Sequence, residues 1–304
     1  MYDIIIVGAG PTGLAAGIYC ANSGLRTLIL ESNNEAGGRM LKARTIINYP
    51  GFPEKITGRE LAKRMMRQAE KAGAEIKTAE GVIDLSYEGD KFVATKKARY
   101  HFRALILATG AGMKGLGMHN ETWIGDGVSY CLECSAPLIK HKDIIVIGNV
   151  QRTVDEAIYL TENAKHVKLF NHANSIQIET KVKEEIKKNR IELIENFVGE
   201  AVKSEPPHKQ LVLRHLKNSK FRKVTANLIL VVSSTVPFVS VLRKVGIETH
   251  RAGCITVDEF GKTNIEGIYA AGSCASTLKD IIPSCVGDGT TIAANVCLYV
   301  KNKT

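Results

Sequence analysis

The chain has 304 residues, of which 44% are hydrophobic, so it is long enough for one large domain or two domains of ordinary size. Its formal net charge is +10, but the basic residues are spread along the chain and form no block interleaved with aromatics, which argues against nucleic-acid binding. No apolar stretch approaches the roughly 20 residues of a membrane span, and no signal peptide precedes the first predicted strand. We therefore expect a cytoplasmic protein that binds neither membrane nor nucleic acid.

The first predicted elements are a strand, a glycine-rich turn and a helix of small residues, in the segment YDIIIVGAGPTGLAAGIYCANSG. The segment LRTLILE predicts the next strand. Residues 57–72 predict a helix with Thr57 as its N-cap and Glu60 three positions later. The residues that follow, as far as Gly110, predict short alternating strands with a hairpin near Gly89.

The pattern starts again after about residue 113, with the strand KDIIVIG, the helix TVDEAIYLTEN, the strand HVKLF and a charged amphipathic helix at residues 180–189. The segments KQLVLRHL and NLILVVS predict the last strands of this block. From about residue 243 the character of the first block returns, and the chain closes with the predicted helix GDGTTIAANVCLYV. This order predicts an α/β fold with two Rossmann-like βαβ units, the second inserted into the first. The predicted boundaries are 1–112 with 243–304 for the outer domain and 113–242 for the insert.

The first glycine turn has the spacing G-x-G-x-x-G at Gly8, Gly10 and Gly13, between a predicted strand and a predicted helix. Such glycines permit a tight turn and the close approach of a pyrophosphate, whose charge is favoured by the helix N-terminus. Glu31 ends the next predicted strand and could accept a hydrogen bond from a ribose hydroxyl. The alternative is a glycine turn that only packs a strand against a helix.

Two later turns of small residues suggest that the nucleotide is FAD. The segment LILATG ends a strand on Ala108, Thr109 and Gly110, and TNIEGIYAAGSC supplies another strand that ends on Gly272. A chain that returns to its first domain to complete a nucleotide site is typical of flavoproteins of this fold.

Seven cysteines are present, and two of them, Cys131 and Cys134, form a C-x-x-C pair just before the second βαβ unit. Thiols at this spacing can close a small disulfide loop, and attack of a thiolate on a disulfide is the elementary step of exchange. A zinc site would need a second such pair, which the other cysteines do not offer, so no metal is predicted. Two unpaired structural thiols are the alternative. Cys274 and Cys285 are interpreted as small buried hydrophobic residues.

Seven motifs together resemble the low-molecular-weight thioredoxin reductase family over nearly the whole chain. They are GAGPTG, GGRM, INYPGFPEKITGRELAKRM, ATG, DGVSYCLEC, EGIYAAG and VGDGTTIA. The resemblance implies a homodimer with two dinucleotide-binding domains of the three-layer ββα type. In the family the outer domain binds FAD, and the smaller inserted domain binds NADPH and carries a redox-active C-x-x-C pair that reduces a thioredoxin-like protein.

The resemblance also implies roles for individual residues. Gly8, Gly10 and Gly13 would line the FAD pyrophosphate. Cys134 would be the sulfur nearer the flavin, and Cys131 would attack the partner's disulfide. The other implied FAD contacts, along the adenosine and flavin parts of the cofactor, are Pro11, Thr12, Glu31, Ser32, Gly38, Arg39, Met40, Asn48, Val82, Ala108, Thr109, Gly110, Gly272 and Ser273.

The second glycine turn departs from the family pattern. Where members read close to GGGDSA, this chain has GNVQRT, with Val150 at the second glycine position and Thr153 at a position for a small residue. A branched side chain at Val150 would collide with a pyrophosphate. The arginine run that grips the 2′-phosphate in NADPH-selective members is replaced by NHANSIQ, and no acidic residue is present to select NADH. We therefore predict no ordinary use of NADPH.

Further departures concern proton transfer and the flavin. Ser135 replaces the Asp that follows the second cysteine. A hydroxyl can relay a proton but does not titrate near neutral pH, so we expect weaker acid–base assistance, for which Glu133 could substitute. Ser273 replaces the Asp that bonds the ribityl chain, and Ile281 replaces the Gln near the flavin pyrimidine. Loss of a charge-assisted hydrogen bond weakens FAD binding by about 1–2 kcal/mol.

The leading hypothesis is an FAD-dependent disulfide oxidoreductase of the thioredoxin reductase type whose electrons do not come from NADPH. A reduced acidic carrier such as ferredoxin is one candidate donor, because a surface of net charge +10 would steer it. The alternative is a non-catalytic FAD-binding paralogue with a regulatory or scaffold role. The altered positions favour that alternative, and the retained cysteines argue against it. A third hypothesis is a flavin oxidase that makes peroxide.

Overall fold

A computed structural model describes residues 1–43, 45–113, 116–119, 127–129, 138–205, 208–232, 235–237, 245–250, 253–275 and 281–303. The chain divides into two compact units, of which the first comprises Met1–Gly112 with Val236–Thr304 and the second comprises Met113–Thr235. The return to the first unit that the sequence predicts at residue 243 falls outside the described residues. No helix within these ranges is long and apolar enough to cross a membrane.

The first unit begins with the predicted order of strands and helices. Its elements are β1 Tyr2–Val7, α1 Pro11–Asn22, β2 Thr27–Leu30, α2 Gly58–Ala72, β3 Glu75–Lys77, β4 Val82–Ser86, β5 Phe92–Thr95 and β6 Arg99–Leu107. Helix α2 begins as predicted, because the Thr57 hydroxyl accepts a hydrogen bond from the Glu60 N–H at 3.1 Å. It ends at Gly73, whose φ of 101° is a left-handed conformation that glycine adopts without strain.

The remaining elements run from the end of the first unit's first segment, through the second unit, to the return of the chain. They are β7 Ala111–Met113, β8 Val128–Ser129, β9 Asp143–Gly148, α3 Arg152–Leu160, β10 His166–Asn171, α4 Thr180–Lys188, β11 Glu192–Ile194, β12 Phe197–Glu205, β13 His208–His215, β14 Phe221–Ala226, β15 Leu228–Val232, β16 Thr235–Pro237, β17 Ile268–Ala270 and α5 Ile282–Asn302. The sequence predicted β9, α3, β10, α4, β13, β15 and α5, but it did not predict β12 or β14.

The central sheet of the first unit is parallel, with the strand order β3-β2-β1-β6 and with β17 paired to β6. Strands β4 and β5 add an antiparallel meander to the beginning of β6. Val7 pairs with both Leu30 and Leu107, so the carboxyl ends of β1, β2 and β6 meet at one edge of the sheet. Nucleotides bind at this edge in open α/β sheets.

This parallel sheet is buried on both faces. Ile4 and Ile6 pack in a cluster with residues of α1, α2 and α5, whereas Ile5 and Leu105 pack in a second cluster with residues of the meander. Burial on both faces explains why the first strand is a continuous apolar run instead of an alternating one.

The second unit repeats this plan. Its parallel sheet has the order β11-β10-β9-β15-β8, and β12, β13 and β14 form a three-stranded antiparallel sheet. One core cluster contains residues of α3 and α4, and another contains residues of the antiparallel sheet. The predicted fold class, an α/β protein with two Rossmann-like units, is confirmed.

Candidate cofactor site

The glycine turn after β1 is held in place by contacts with the protein itself at two of its three glycines. Gly8 has a φ of 107°, and a Cβ atom there would lie 2.3 Å from the Ala108 carbonyl oxygen. A Cβ atom at Gly13 would lie 1.8 Å from the Gly8 carbonyl oxygen. Both glycines are therefore required by the close packing of β1, α1 and the end of β6.

The middle glycine of the turn, Gly10, faces open space. A Cβ atom at Gly10 would meet none of the described residues within 4 Å. Gly10 is also the N-cap of α1, where no described side chain caps the helix and no acidic residue lies in the first turn. A helix N-terminus with free N–H groups attracts an anion, so the space beside Gly10 fits a pyrophosphate.

Glu31 joins the end of β2 to this turn. The side chain is 5% exposed, and its Oε2 atom accepts a hydrogen bond from the Ala9 N–H at 2.9 Å. The other oxygen accepts from the main-chain and side-chain N–H groups of Asn33, at 2.8 and 2.7 Å. The Ser32 hydroxyl also donates to Oε1, at 3.2 Å, so that oxygen is fully engaged. Each carboxylate oxygen has about two acceptor sites, so Oε2, which accepts from Ala9 alone among the described residues, can still accept a hydrogen bond from a ligand hydroxyl.

One side of the site is formed by the loop before β4 and by the end of β6. The Glu80 N–H donates to the Glu31 carbonyl at 2.8 Å, and a Cβ atom at Gly81 would lie 3.0 Å from the Ser32 Cβ atom. Val82, the first residue of β4, therefore lies beside the end of β2. At the end of β6, the Thr109 hydroxyl is buried, and among the described residues only the Cys274 thiol, which is a weak partner, lies close enough to interact with it. An unsatisfied buried hydroxyl costs about 1–3 kcal/mol, and a bound ligand at this edge could supply the partner.

The opposite side is formed by the 3₁₀ turn Gly38–Lys42 and by the residues after β17. A Cβ atom at Gly38 would lie 3.2 Å from the Gly10 Cα atom. The Arg39 guanidinium donates to the Ser273 hydroxyl at 3.1 Å. Three segments that are distant in the sequence thus meet at the open glycine.

Gly272 contacts the first turn of α1. Its φ is 75°, and a Cβ atom there would lie 2.3 Å from Thr12 Oγ1. The Gly272 N–H donates to Asp288 Oδ2 at 2.5 Å, and this fixes the turn after β17 to the beginning of α5. Sequence reasoning missed Asp288. The signal was available, because Gly287 and Gly289 flank an Asp within a helix, and such a run has low helix propensity and needs another reason to be present.

Three of the predicted cofactor residues are placed less directly. Pro11 occupies the first position of α1, where its missing N–H costs nothing. Met40 is 3% exposed within the hydrophobic core, and a Cβ atom at Gly58 would lie 1.8 Å from the Met40 carbonyl oxygen. Asn48 is exposed. The cofactor roles of these three residues, like those of the other predicted cofactor residues, remain predictions.

Other predicted residues fall outside the described part of the chain or within the core. Cys131 and Cys134, with the neighbouring Glu133 and Ser135, lie outside the described residues. Cys274 is buried, its thiol donates to the carbonyls of Leu107 and Ala271 at 3.2 Å each, and burial raises the pKa of this thiol. No group of three His, Cys, Asp or Glu residues in the described ranges could hold a metal ion.

The turn after β9 in the second unit is built differently. A Cβ atom at Gly148 would lie 2.2 Å from Thr153 Oγ1, and the Thr153 side chain is fully buried. Both the hydroxyl and the N–H of Thr153 donate to the Val150 carbonyl, at 2.6 and 2.9 Å. Asp155 lies in the first turn of α3. The two donors of Thr153 are therefore engaged within the turn.

The residues after β10 form a closed loop. The Asn171 side chain is 1% exposed, donates to the Ile176 carbonyl at 2.8 Å and accepts from the Ile176 N–H at 2.9 Å. The 3₁₀ turn His172–Asn174 lies between these two residues. Asn171 thus stabilises the loop at the position where the resemblance would place arginines.

The fold and the first glycine turn define a dinucleotide-binding protein with two Rossmann-like units. The sequence model of the family described as Pyridine nucleotide-disulphide oxidoreductase matches residues 2–289. Thioredoxin reductase from Peptoclostridium acidaminophilum is 31% identical to this chain, and the alignment covers 99% of this chain and 98% of the relative. Thioredoxin reductase from Treponema pallidum is 32% identical, and the alignment covers 98% of this chain and 97% of the relative. The crystal structure of thioredoxin reductase from Streptococcus pyogenes has a TM-score of 0.91 at 30% identity and covers 99% of both chains. This chain belongs to the thioredoxin reductase family.

The family is FAD-dependent, and the chain is an FAD-dependent disulfide oxidoreductase. The residues of the first unit fit this cofactor, because Gly10 faces open space, no described side chain caps α1, and the Thr109 hydroxyl has no strong partner among the described residues. When bound, FAD supplies the electron transfer that protein side chains cannot perform. The first turn of α1 would hold the pyrophosphate, and Glu31 would accept from the ribose.

Proposed function

We propose that this chain reduces the disulfide of a thioredoxin-like protein through Cys131 and Cys134, with FAD held in the first unit, and that its electrons do not come from NADPH bound in the second unit. The observation that supports the second part is the contrast between the two nucleotide turns of one chain. The first turn leaves open space at Gly10, whereas the second turn has Val150 at the equivalent position.

The second turn offers little to a pyrophosphate. Thr153 directs its hydroxyl and its N–H to the Val150 carbonyl, so neither donor is available to a ligand. Asp155 adds a negative charge in the first turn of α3, and the positive charge of Arg152 in the same turn is paired with Glu156 at 2.9 Å, so the turn offers no net positive charge to an anion. In the first turn of α1 the equivalent positions carry no acidic residue.

The loop after β10 offers little to a 2′-phosphate. Residues 171–178 contain no arginine and no lysine, and Asn171 is occupied with the main chain of Ile176. Arginine is the usual residue for planar, bidentate phosphate recognition. The turn that would bind the pyrophosphate of NADPH and the loop that would bind its 2′-phosphate are therefore both altered in the second unit.

The proposed chemistry of the cysteine pair is disulfide exchange, and it rests on the C-x-x-C motif and on the family. The Cys131 thiolate attacks one sulfur of the partner's disulfide, and a mixed disulfide forms while the other partner sulfur leaves as a thiolate. The Cys134 thiolate then attacks Cys131, which closes the Cys131–Cys134 disulfide and releases the second partner thiol. Two cysteines are oxidised and one partner disulfide is reduced.

We propose a reduced acidic protein carrier of the ferredoxin kind as the electron donor, and a homodimer as the working assembly. The formal net charge of +10 supports an acidic donor, because opposite charge accelerates the encounter of two proteins. A thioredoxin-like acceptor is supported by the relatives, which are thioredoxin reductases.

A single-turnover experiment tests the disulfide chemistry without needing the natural donor. FAD-reconstituted full-length protein is reduced with stoichiometric dithionite under anaerobic conditions and mixed with an oxidised thioredoxin, and new thioredoxin thiols are counted. We expect about one disulfide reduced per FAD, and none for Cys131→Ser or Cys134→Ser.

Three outcomes would oppose this proposal. If the reduced protein leaves the thioredoxin oxidised, the chain is a non-catalytic FAD-binding paralogue. If the cysteine variants reduce thioredoxin as fast as the unaltered chain, the cysteines are not the route of the electrons. Rapid reaction of the reduced protein with air, independent of both cysteines, would favour a flavin oxidase.

A further inference from the structure

Helices α1 and α5 of the first unit pack together in matched register. At one end a Cβ atom at Gly289 would lie 2.3 Å from the Thr12 carbonyl oxygen, so the two backbones approach closely there. At the other end Cys20 and Cys297 lie in the same core cluster, and their thiols are close enough to influence each other's pKa. Both members of the second contact lie eight residues beyond those of the first, so the helices run in the same direction over about 12 Å.

The residues between these two contacts are small and buried. Ala16 and Ala293 lie four residues beyond Thr12 and Gly289 on their helices, and both are fully buried. A disulfide requires Cα atoms about 4.4–6.8 Å apart, a separation that only helices with small residues at their contact can provide. Cys20 is fully buried and Cys297 is 5% exposed.

We propose that Cys20 and Cys297 are a second dithiol pair, separate from the C-x-x-C motif, which hydrogen peroxide converts reversibly into a disulfide between α1 and α5. Both cysteines are free thiols in the structure, and disulfide transfer through Cys131 and Cys134 does not require them. The proposal does not rest on the identity of the electron donor.

The oxidation is balanced by one equivalent of peroxide. The Cys297 thiolate attacks one peroxide oxygen, the O–O bond breaks, and a sulfenic acid forms while hydroxide leaves and takes up the thiol proton as water. The Cys20 sulfur then attacks the sulfenic sulfur, its proton goes to the departing hydroxide, and a second water is released. Two thiols lose two electrons, and a thiol reductant restores them.

Cys297 is suited to the first step. It lies near the end of the helix pair remote from the glycine turn, with Ser23 and the exposed Lys301 beside it. The hydrogen bond from Cys20, with help from Ser23 and Lys301, holds the pKa of Cys297 at about 7 despite burial. Cys20 has no such environment, because its hydrogen bond to Cys297 and its burial both raise its pKa.

The disulfide would join two helices that both contribute to the cofactor site. Helix α1 has Gly10 as its N-cap and Thr12 in its first turn, and α5 carries Asp288, which accepts a hydrogen bond from the Gly272 N–H. A cross-link at the remote end fixes the register of these helices. The consequence is a first unit that resists unfolding and retains FAD longer when peroxide is present.

The test uses full-length, FAD-reconstituted protein with Cys131→Ser and Cys134→Ser, so that the C-x-x-C pair cannot react and the result is independent of the proposed function. The protein is treated with a small excess of hydrogen peroxide, remaining thiols are blocked with N-ethylmaleimide, and digests are mapped by mass spectrometry. We expect a Cys20–Cys297 linked peptide that disappears after dithiothreitol. We also expect the Tm to rise by roughly 5–10 °C.

Two controls keep the result interpretable. Cys297→Ser in the same background should abolish the link and the rise in Tm, whereas Cys254→Ser, which removes another buried thiol of the same unit, should preserve both. The linked peptide is measured on the unaltered pair, so the test does not depend on how well Cys297→Ser folds. The proposal is wrong if N-ethylmaleimide still labels Cys20 and Cys297 completely after peroxide treatment. It is also wrong if Cys297 is oxidised to sulfinic acid and no Cys20–Cys297 disulfide forms.

Discussion

The three glycines of the first turn serve two different purposes. Gly8 and Gly13 make room for neighbouring main-chain atoms of the protein, whereas Gly10 leaves space that the described residues do not fill. The motif G-x-G-x-x-G identified all three from the sequence, but it could not separate the glycine that a ligand requires from those that the fold requires. That separation depends on distances to Ala108 and to the turn itself.

We predict that Gly10→Ala and Gly13→Ala fail in different ways. Gly10 has a φ of −74°, which alanine accepts, so the unfolding free energy of the apoprotein should change by less than about 0.5 kcal/mol. Its new methyl group occupies the pyrophosphate space, so the Kd for FAD should rise at least about tenfold. Gly13→Ala should instead destabilise the apoprotein by about 2–3 kcal/mol, because its methyl group meets the Gly8 carbonyl. Denaturant titration and FAD fluorescence distinguish the two, and similar apoprotein stabilities for both variants would contradict this division.

Asp288 provides a second test at the level of single residues. Hydrogen bonds to charged groups contribute about 1.5–3 kcal/mol, so Asp288→Ala should raise the Kd for FAD roughly 10- to 100-fold by releasing the Gly272 N–H. Asp288→Asn keeps an acceptor at the same place and should lose much less affinity. Equal losses in the two variants would show that Asp288 acts through its charge and not by positioning Gly272.

The contact between Asp288 and Gly272 could not be predicted from the sequence. A polar residue inside a predicted helix is by default on the surface, and only the structure shows that its carboxylate reaches the turn after β17. Glu31 was predicted as a ribose ligand. The structure adds that the same carboxylate also holds Ala9 and Asn33.

At the level of the elements, the sequence predicted the buried parallel strands well and the antiparallel strands less well. Strands β1 and β9 are continuous apolar runs because both faces are covered. Strand β12 has a bulge between Gly199 and Ala201, which interrupts its alternation. Strand β14 buries only Val224 and Ala226, so its remaining residues read as a polar loop.

The pairing of α1 and α5 makes a prediction about pH. Because the pKa of Cys297 is lowered to about 7 from 9.0, its thiolate forms about two pH units earlier than that of an ordinary cysteine. The rate of Cys297 alkylation by iodoacetamide should therefore reach half of its maximum near pH 7. Cys20→Ala removes the donor to Cys297 and should move this midpoint upward, so that alkylation at pH 7 slows. A profile unchanged by Cys20→Ala would show that Ser23 and Lys301 alone set the pKa.

For the whole molecule, the sequence predicted two Rossmann-like units, and the structure contains both. The two units share a parallel sheet with an added antiparallel sheet, yet their nucleotide turns differ at Gly10 and Val150. The motifs identified the family, whereas the engagement of Thr153 with Val150 could be seen only in the structure. The electron donor and the disulfide acceptor remain proposals, which rest on the net charge and on the relatives.

The central claim is that FAD in this protein does not receive electrons from NADPH through the second unit. The most direct test mixes anaerobic, FAD-reconstituted protein with NADPH in a stopped-flow instrument and follows the visible flavin absorbance, with dithionite as the control for reducible flavin. We expect the flavin to stay oxidised with NADPH or NADH and to be reduced by dithionite. Rapid bleaching by stoichiometric NADPH would contradict it, and the chain would then be an NADPH-dependent thioredoxin reductase in which Val150 and Thr153 are tolerated.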